Sequence, residues 1–123
     1  MLKKTILRRK SDFSNIYKRG KSKGDRYVVL FYRKNRLPYS RYAFLASKKV
    51  GNSVKRNRAR RLMKESFRLS DVKLKNGYDY IIIARKNIAG ADVKCKDVKK
   101  SLESVFRRTG VIQKNEVHEK HSK

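Results

Sequence analysis

Residues 47–68 combine a helical period with a high density of positive charge. This segment contains nine Lys or Arg and one acid, Glu65. Asn52 and Ser53 supply side-chain oxygens that can cap a first turn, and the period continues to about residues 69–70. The apolar side of this predicted helix is formed by Ala59, Leu62, Met63 and Ser66, with Val54 and Phe67 at its edges. An amphipathic helix of this kind is expected to bury its apolar side against another element.

The other side of the same predicted helix is almost entirely cationic. It is formed by Asn57, Arg60, Arg61, Lys64 and Arg68, with Arg56 and Arg58 flanking it. A charged helix face is usually a solvated surface on which acids and bases alternate as i,i+4 pairs. Here like charges stand four residues apart and repel each other, so an external anion is needed to offset the repulsion. The pattern therefore favours a polyanion-binding helix over a merely solvated one.

The composition of the whole chain agrees with a nucleic-acid partner. Its 123 residues include 36 Lys or Arg and 10 Asp or Glu, a formal charge of +26. Such a charge suits binding to phosphates, which releases counterions. A membrane surface is the competing polyanion, but no apolar run approaches the roughly 20 residues of a spanning helix, and Trp is absent. We predict one domain over residues 1–123, ordered over about residues 5–110, between a basic N-terminal arm and a polar C-terminal tail.

The basic N-terminal segment and the single cysteine predict a cytoplasmic protein. The first ten residues are basic and lack the apolar core of a secretory signal. Cys95 has no partner for an intramolecular disulfide, which agrees with a reducing compartment. We expect no membrane partner and no small-molecule substrate.

Shorter patterns predict the remaining elements. Ser11 and Asp12 are expected to cap a short helix that carries Phe13, Ile16 and Tyr17 and ends at Gly20. Strands are predicted at residues 26–33, 41–47 and 78–84, and a last helix at residues 97–108. Residues 21–25 are interpreted as a polar connector and residues 85–91 as a loop. The order predicts an α/β sandwich whose helices cover one sheet face and leave the other partly open.

Several of these segments resemble the bacterial ribonuclease P protein subunit. The longest match is residues 47–54, SKKVGNSV, followed by Arg56-Asn57-Arg58, Arg60-Arg61 and Phe67. Asp12-Phe13 with Tyr17 and Gly20, residues 78–85 and residues 100–107 resemble further parts of that family. The resemblance implies an α+β sandwich with three helices, a mixed sheet of about four strands and a left-handed βαβ crossover. Since the patterns give only three strands, a short fourth strand is expected near residues 20–40.

The resemblance also implies a function. The family's enzyme removes the 5′ leader of precursor tRNA, its catalytic subunit is RNA, and the protein binds both that RNA and the leader. Carried over to this chain, the RNA-binding residues are Lys48, Lys49, Arg56, Asn57, Arg58, Arg60, Arg61, Lys64 and Arg68. The leader-binding cleft comprises Phe13, Tyr17 and Phe31, whose rings can stack on exposed bases. Packing in an ordinary apolar core is the alternative role for these three aromatic residues.

We expect phosphodiester hydrolysis to be carried out by the RNA subunit with Mg²⁺, and no catalytic residue, metal or cofactor on the protein. His118 and His121 have suitable atoms for a metal but stand in the polar tail. No cluster of acids and bases suggests a stand-alone nuclease. The two rival hypotheses are a structural RNA-binding protein, such as a ribosomal protein, and a protein that cleaves RNA by itself.

Overall fold

The computed structural model describes residues 5–113, which form three helices and one four-stranded sheet. The helices are α1 (Lys10–Arg19), α2 (Ser53–Leu69) and α3 (Cys95–Thr109). The strands are β1 (Lys21–Gly24), β2 (Val28–Lys34), β3 (Arg41–Leu45) and β4 (Tyr78–Ala84). The spatial order is β1-β2-β4-β3, with β3 parallel to β4 and the other pairs antiparallel. The predicted α+β sandwich with a mixed sheet is therefore confirmed.

The sheet separates two apolar clusters because strand side chains alternate between its faces. Tyr80 and Ile82 of β4 lie on the face covered by α2 and α3, in the larger cluster. Ile81, between them, lies on the opposite face with Ile16 of α1. The expectation that helices cover only one face is thus corrected, because α1 and the buried Leu7 cover part of the second face. Strands β3 and β4 are joined through α2 as a βαβ crossover, whose left-handedness stays a prediction.

Strand β1 is the element that the sequence patterns missed. It occupies residues interpreted as a polar connector, and its pairing with β2 supplies the fourth strand expected from the resemblance. All four of its residues are exposed, so no apolar alternation marks it. A polar, lysine-bearing strand at a sheet edge is a common protection against pairing with another chain.

Helix boundaries differ from the predicted ones by a few residues. Helix α1 begins at Lys10 with Arg9 as its N-cap, so Ser11 and Asp12 lie inside the helix and do not cap it. Helix α3 begins at Cys95, where the carboxylate of Asp97 accepts a hydrogen bond of 2.8 Å from the N–H of Lys94. Within the loop predicted at residues 85–91, Lys86–Ala89 forms a 3-10 turn.

The described part of the C-terminal tail pairs with the segment that follows α2. Val111 is buried, and its carbonyl accepts a hydrogen bond of 2.7 Å from the N–H of Lys75. The N–H of Gln113 donates to the carbonyl of Lys73 at 2.8 Å. The fold therefore includes residues 111–113, beyond the predicted limit of about residue 110. The tail histidines His118 and His121 lie outside the described residues.

Candidate nucleic-acid interface

Helix α2 presents its cations outward because its other side is anchored in the core. Asn52 is the N-cap, and its side chain accepts a hydrogen bond of 3.0 Å from the N–H of Lys55. Ala59, Met63 and Ser66 are at most 1% exposed. The helix has 17 residues and is therefore about 25 Å long at 1.5 Å per residue. This matches the cap and the apolar side predicted from the sequence.

Six of the nine predicted RNA-binding residues are exposed. We call them the basic surface: Lys48, Lys49, Asn57, Arg61, Lys64 and Arg68. The two lysines lie in a 3-10 turn, Lys48–Val50, which Ser47 caps just before α2. The turn is followed by Gly51, whose φ of 142° is unfavourable for residues with a side chain. The turn and the helix together thus hold five cations and one amide on the solvent side.

The remaining three predicted residues are half-buried and make local contacts. The guanidinium of Arg58 donates to the carbonyl of Val93 at 3.1 Å, which ties α2 to the segment before α3. Arg60 donates to the side-chain oxygen of Asn57. Arg56 contacts the hydroxyl of Ser53 at 3.4 Å, and its buried Nε has no hydrogen-bond partner among the described residues. These arginines therefore have structural contacts that the helical pattern did not reveal.

Glu65, the one acid of α2, forms a bidentate ion pair with Arg68. Its carboxylate oxygens lie 3.1 Å from Nε and 2.5 Å from Nη2 of that arginine. The hydrogen bond from Arg68 lowers the pKa of Glu65, so the carboxylate stays ionised at neutral pH. Since both groups are exposed, a phosphate can compete for the same guanidinium fork.

The three predicted cleft residues come together on the α1 face of the sheet. Phe13 and Tyr17 lie on α1, and Phe31 lies on β2. The ring of Tyr17 meets that of Phe31 edge-on at 5.0 Å and lies 6.4 Å from that of Phe13. Leu45 and Ile83 lie half-buried beside them, and we call these five residues the aromatic cleft.

Tyr17 differs from an ordinary core residue in its exposure. Ile16 is the α1 residue that fills the core, at 1% exposed, whereas Tyr17 remains 43% exposed. Partial burial raises the pKa of the Tyr17 phenol, which keeps it protonated at neutral pH. The Tyr17 ring is therefore held by packing against Phe31 and is still reachable from solvent.

The basic surface and the aromatic cleft lie on opposite faces of the sheet and meet at the edge strand β3. An apolar groove of about 640 Å³ crosses this edge. It runs from Phe13 at one end to Lys64 and Arg68 at the other. The remaining lining residues are Ile6, Leu7, Tyr42, Ala43, Phe44, Leu45 and Phe67.

A partly buried ion-pair network ties the start of α1 to the sheet. The carboxylate of Asp79, 5% exposed, accepts from Nε and Nη2 of Arg41 at 2.8 and 2.7 Å, and from Nδ2 of Asn35 at 2.9 Å. The third nitrogen of Arg41, Nη1, donates to Asp12 at 3.2 Å. The carboxylate of Asp79 raises the pKa of Arg41 above its already high ordinary value. The sequence patterns gave no signal for this network because its members are 29 and 38 residues apart.

A second network joins the β1–β2 turn to α3. Asp25 accepts from the N–H of Arg26 at 2.7 Å, from Ser101 at 2.8 Å and from Arg108 at 2.7 Å. Among residues 5–113 there is no group of three or more His, Cys, Asp or Glu placed to hold a metal. No helix in that range is both long and apolar enough to span a membrane.

These features define a small basic α+β protein that presents a cationic helix and an aromatic cleft. The family model for ribonuclease P matches residues 1–110, so the chain belongs to the ribonuclease P protein family. A ribonuclease P protein component from Clostridioides difficile is 44% identical over 106 residues, which cover 85% of this chain and 91% of that protein. The family supplies the protein component of ribonuclease P, an endoribonuclease whose holoenzyme contains RNA.

Solved structures of bacterial RNase P proteins share the fold. The protein from Staphylococcus aureus aligns with a TM-score of 0.76 at 30% identity, over 89% of this chain and 98% of that one. The protein from Thermotoga maritima aligns with a TM-score of 0.73 at 33% identity, over 83% of this chain and 94% of that one. The resemblance inferred from residues 47–67 is thus confirmed by sequence and by fold.

Proposed function

We propose that this protein binds the catalytic RNA of ribonuclease P through its basic surface and the 5′ leader of precursor tRNA through its aromatic cleft. In this way it assists endonucleolytic removal of the leader, which generates the mature 5′ end of the tRNA. The observation that carries the proposal is the separation of the two surfaces onto opposite faces of one sheet. The proposed location is the cytoplasm, where precursor tRNA would be processed.

The basic surface suits a folded RNA. Guanidinium forks such as those of Arg61 and Arg68 pair bidentately with phosphate, and the lysines add point charges. Contacts of this kind position a partner while reading little of its sequence. Recognition of a structured ribozyme depends on its shape, so a rigid helix about 25 Å long is suited to contact it.

The aromatic cleft suits a single strand whose sequence varies. Each base has a face that can stack on an aromatic ring, which contributes about 1–3 kcal/mol per base whatever its identity. Mature tRNA lacks the leader and gains nothing from these contacts. The cleft therefore adds affinity for precursor that the product does not share.

We assign hydrolysis and its Mg²⁺ to the RNA subunit. The carboxylates of Asp12, Asp25 and Asp79 are each engaged by an arginine within the fold. The protein contributes binding energy and orientation, which lower the barrier without a side chain acting as acid or base.

The test is cleavage of a precursor tRNA at low Mg²⁺ by the protein alone, by a bacterial ribonuclease P RNA alone, and by their mixture. The proposal predicts strong cleavage in the mixture only. Cleavage by the protein alone would assign it an active site of its own. A mixture no more active than the RNA would instead favour a general RNA-binding role, such as that of a ribosomal protein.

A further inference from the structure

We propose that Asp12 is a positioning residue: by its ion pair with Arg41 it holds α1 at the separation from the sheet at which the aromatic cleft accepts a leader. This inference rests on the proposed function of the cleft. Asp12 is not one of the five residues of the aromatic cleft.

The geometry of Arg41 is set from the sheet side. Arg41 on β3 and Asp79 on β4 are direct neighbours in the parallel register. The bidentate contact to Asp79 fixes the plane of the guanidinium, and the hydrogen bond from Asn35 in turn orients Asp79. A planar fork held on two nitrogens can present the third in only one direction. Nη1 therefore points at a fixed place above the sheet, where it meets Asp12.

Helix α1 is held at its other end by backbone contact. A Cβ added at Gly20 would lie 2.6 Å from the carbonyl oxygen of Ile16 and 2.8 Å from that of Tyr32 on β2. The chain at the end of α1 thus lies directly against the sheet. Phe13 and Tyr17 lie between this contact and Asp12, so both attachments influence where the two rings stand.

Among the hydrogen bonds and ion pairs of residues 5–113, the Asp12 pair is the one that joins a side chain of α1 to the sheet. The chain just before α1 is tied separately, because the N–H of Leu7 donates to the carbonyl of Tyr42 on β3 at 2.9 Å and Leu7 is buried. Ile16 is the only fully buried residue of α1, and Phe13 and Tyr17 pack only partly against the sheet. Without the pair, α1 is expected to shift relative to the sheet and to change the spacing of the rings.

The sign of the expected effect separates this role from simple electrostatics. Asp12→Asn removes a negative charge, which by itself strengthens binding of any RNA to a protein of charge +26. A positioning role predicts the opposite for precursor, because the rings no longer match the leader. The variant remains suitable for the test because Arg41 keeps its pair with Asp79 and no buried charge is left alone.

The experiment reconstitutes holoenzymes with wild-type protein, Asp12→Asn, Asp12→Glu and the matched control Asp71→Asn, which makes the same charge change at an exposed residue. Dissociation constants are measured for a precursor tRNA and for mature tRNA, together with the affinity of each protein for the ribonuclease P RNA. We expect Asp12→Asn to weaken precursor binding about fivefold or more, the effect of losing one stacked base. Mature tRNA and ribonuclease P RNA should bind as they do with the Asp71→Asn control, and Asp12→Glu should restore the preference for precursor.

Two outcomes would overturn the inference. One is precursor binding by Asp12→Asn that is unchanged or tighter than that of the wild type. Tighter binding is the effect of the charge change alone, and Asp71→Asn should show it. The other is an equal loss for precursor and mature tRNA, which would indicate general disruption of the fold. Failure of the proposed function is recognised separately, because a wild-type holoenzyme would then show no preference for precursor.

Discussion

At the scale of single residues, the cationic side chains of α2 divide by their contacts. Arg61 is exposed, whereas Arg58 is half-buried and bonded to the carbonyl of Val93. Both belong to the motif that resembles the family, so sequence similarity alone assigns them one role. The structure assigns to Arg58 a structural contact in addition.

We predict opposite results for alanine at these two positions. Arg61→Ala should reduce the salt dependence of RNA binding by about 0.7–0.9 log units per log unit of salt, since one phosphate contact is lost. Its free energy of unfolding should change by less than about 0.5 kcal/mol. Arg58→Ala should lower the free energy of unfolding by about 1 kcal/mol. RNA titrations over a salt series and urea unfolding measure both, and an unchanged slope for Arg61→Ala would remove it from the basic surface.

The network around Asp25 predicts a dependence of stability on pH. Burial raises the pKa of Asp25, but hydrogen bonds from Arg26, Ser101, Ser104 and Arg108 outweigh it, so the pKa lies below its ordinary value. A lowered pKa in the folded state stabilises the fold above the unfolded-state pKa of about 3.9. This stabilisation is lost as the pH falls through the folded-state pKa.

Asp25→Asn should therefore lower the free energy of unfolding at neutral pH by roughly 1–3 kcal/mol. The difference from wild type should shrink as the pH falls through the folded-state pKa of Asp25. Urea unfolding over a series of acidic pH values measures this, with exposed Asp71→Asn as the control. A difference that stays constant with pH would show that the Asp25 charge contributes nothing.

At the scale of elements, the sequence patterns predicted the amphipathic helix α2 and the apolar strand β4, and they missed the polar strand β1. Helix α2 was predicted because its apolar period and its Asn52 cap are both local signals. Strand β4 was predicted at its observed bounds because five of its seven residues are buried and nearly all are apolar. Strand β1 carries no such signal, since its pairing with β2 depends on the backbone alone.

The site was predictable only in part, for similar reasons. The cations of α2 follow from helical spacing, but the cleft required a family resemblance, because Phe13, Tyr17 and Phe31 fit a core equally well by pattern. The network of Asp12, Arg41 and Asp79 depends on strand register and on how α1 crosses the sheet. Neither quantity is encoded in a local stretch of residues.

The close contact at the end of α1 predicts that Gly20→Ala is destabilising. A methyl group there would press against two backbone oxygens, and overpacking of this kind typically costs about 1–3 kcal/mol. Gly24→Ala is the matched control, because its nearest neighbour is the flexible end of Arg85 at 3.0 Å. Urea unfolding of both variants measures the difference. Equal free energies of unfolding for Gly20→Ala and Gly24→Ala would mean that α1 can move away from β2 without cost.

At the scale of the whole molecule, the sheet places the two proposed RNA contacts on different faces. Helices α2 and α3 occupy one face and α1 occupies the other, so each surface has its own support. A ligand on the basic surface leaves the aromatic cleft open to a second strand. Anions bound only to the folded state also stabilise a chain of charge +26, which links assembly with RNA to folding.

The most direct test of this account compares Tyr17→Ala with Arg61→Ala in two assays. One assay measures the affinity of the protein for ribonuclease P RNA, and the other measures the preference of the holoenzyme for precursor over mature tRNA. Tyr17→Ala should lose about 1–3 kcal/mol of that preference and keep its affinity for the RNA subunit. Arg61→Ala should weaken binding of the RNA subunit and keep the preference once assembled. If each variant lowers both the affinity for ribonuclease P RNA and the preference for precursor, the basic surface and the aromatic cleft do not have separate roles, and the account is contradicted.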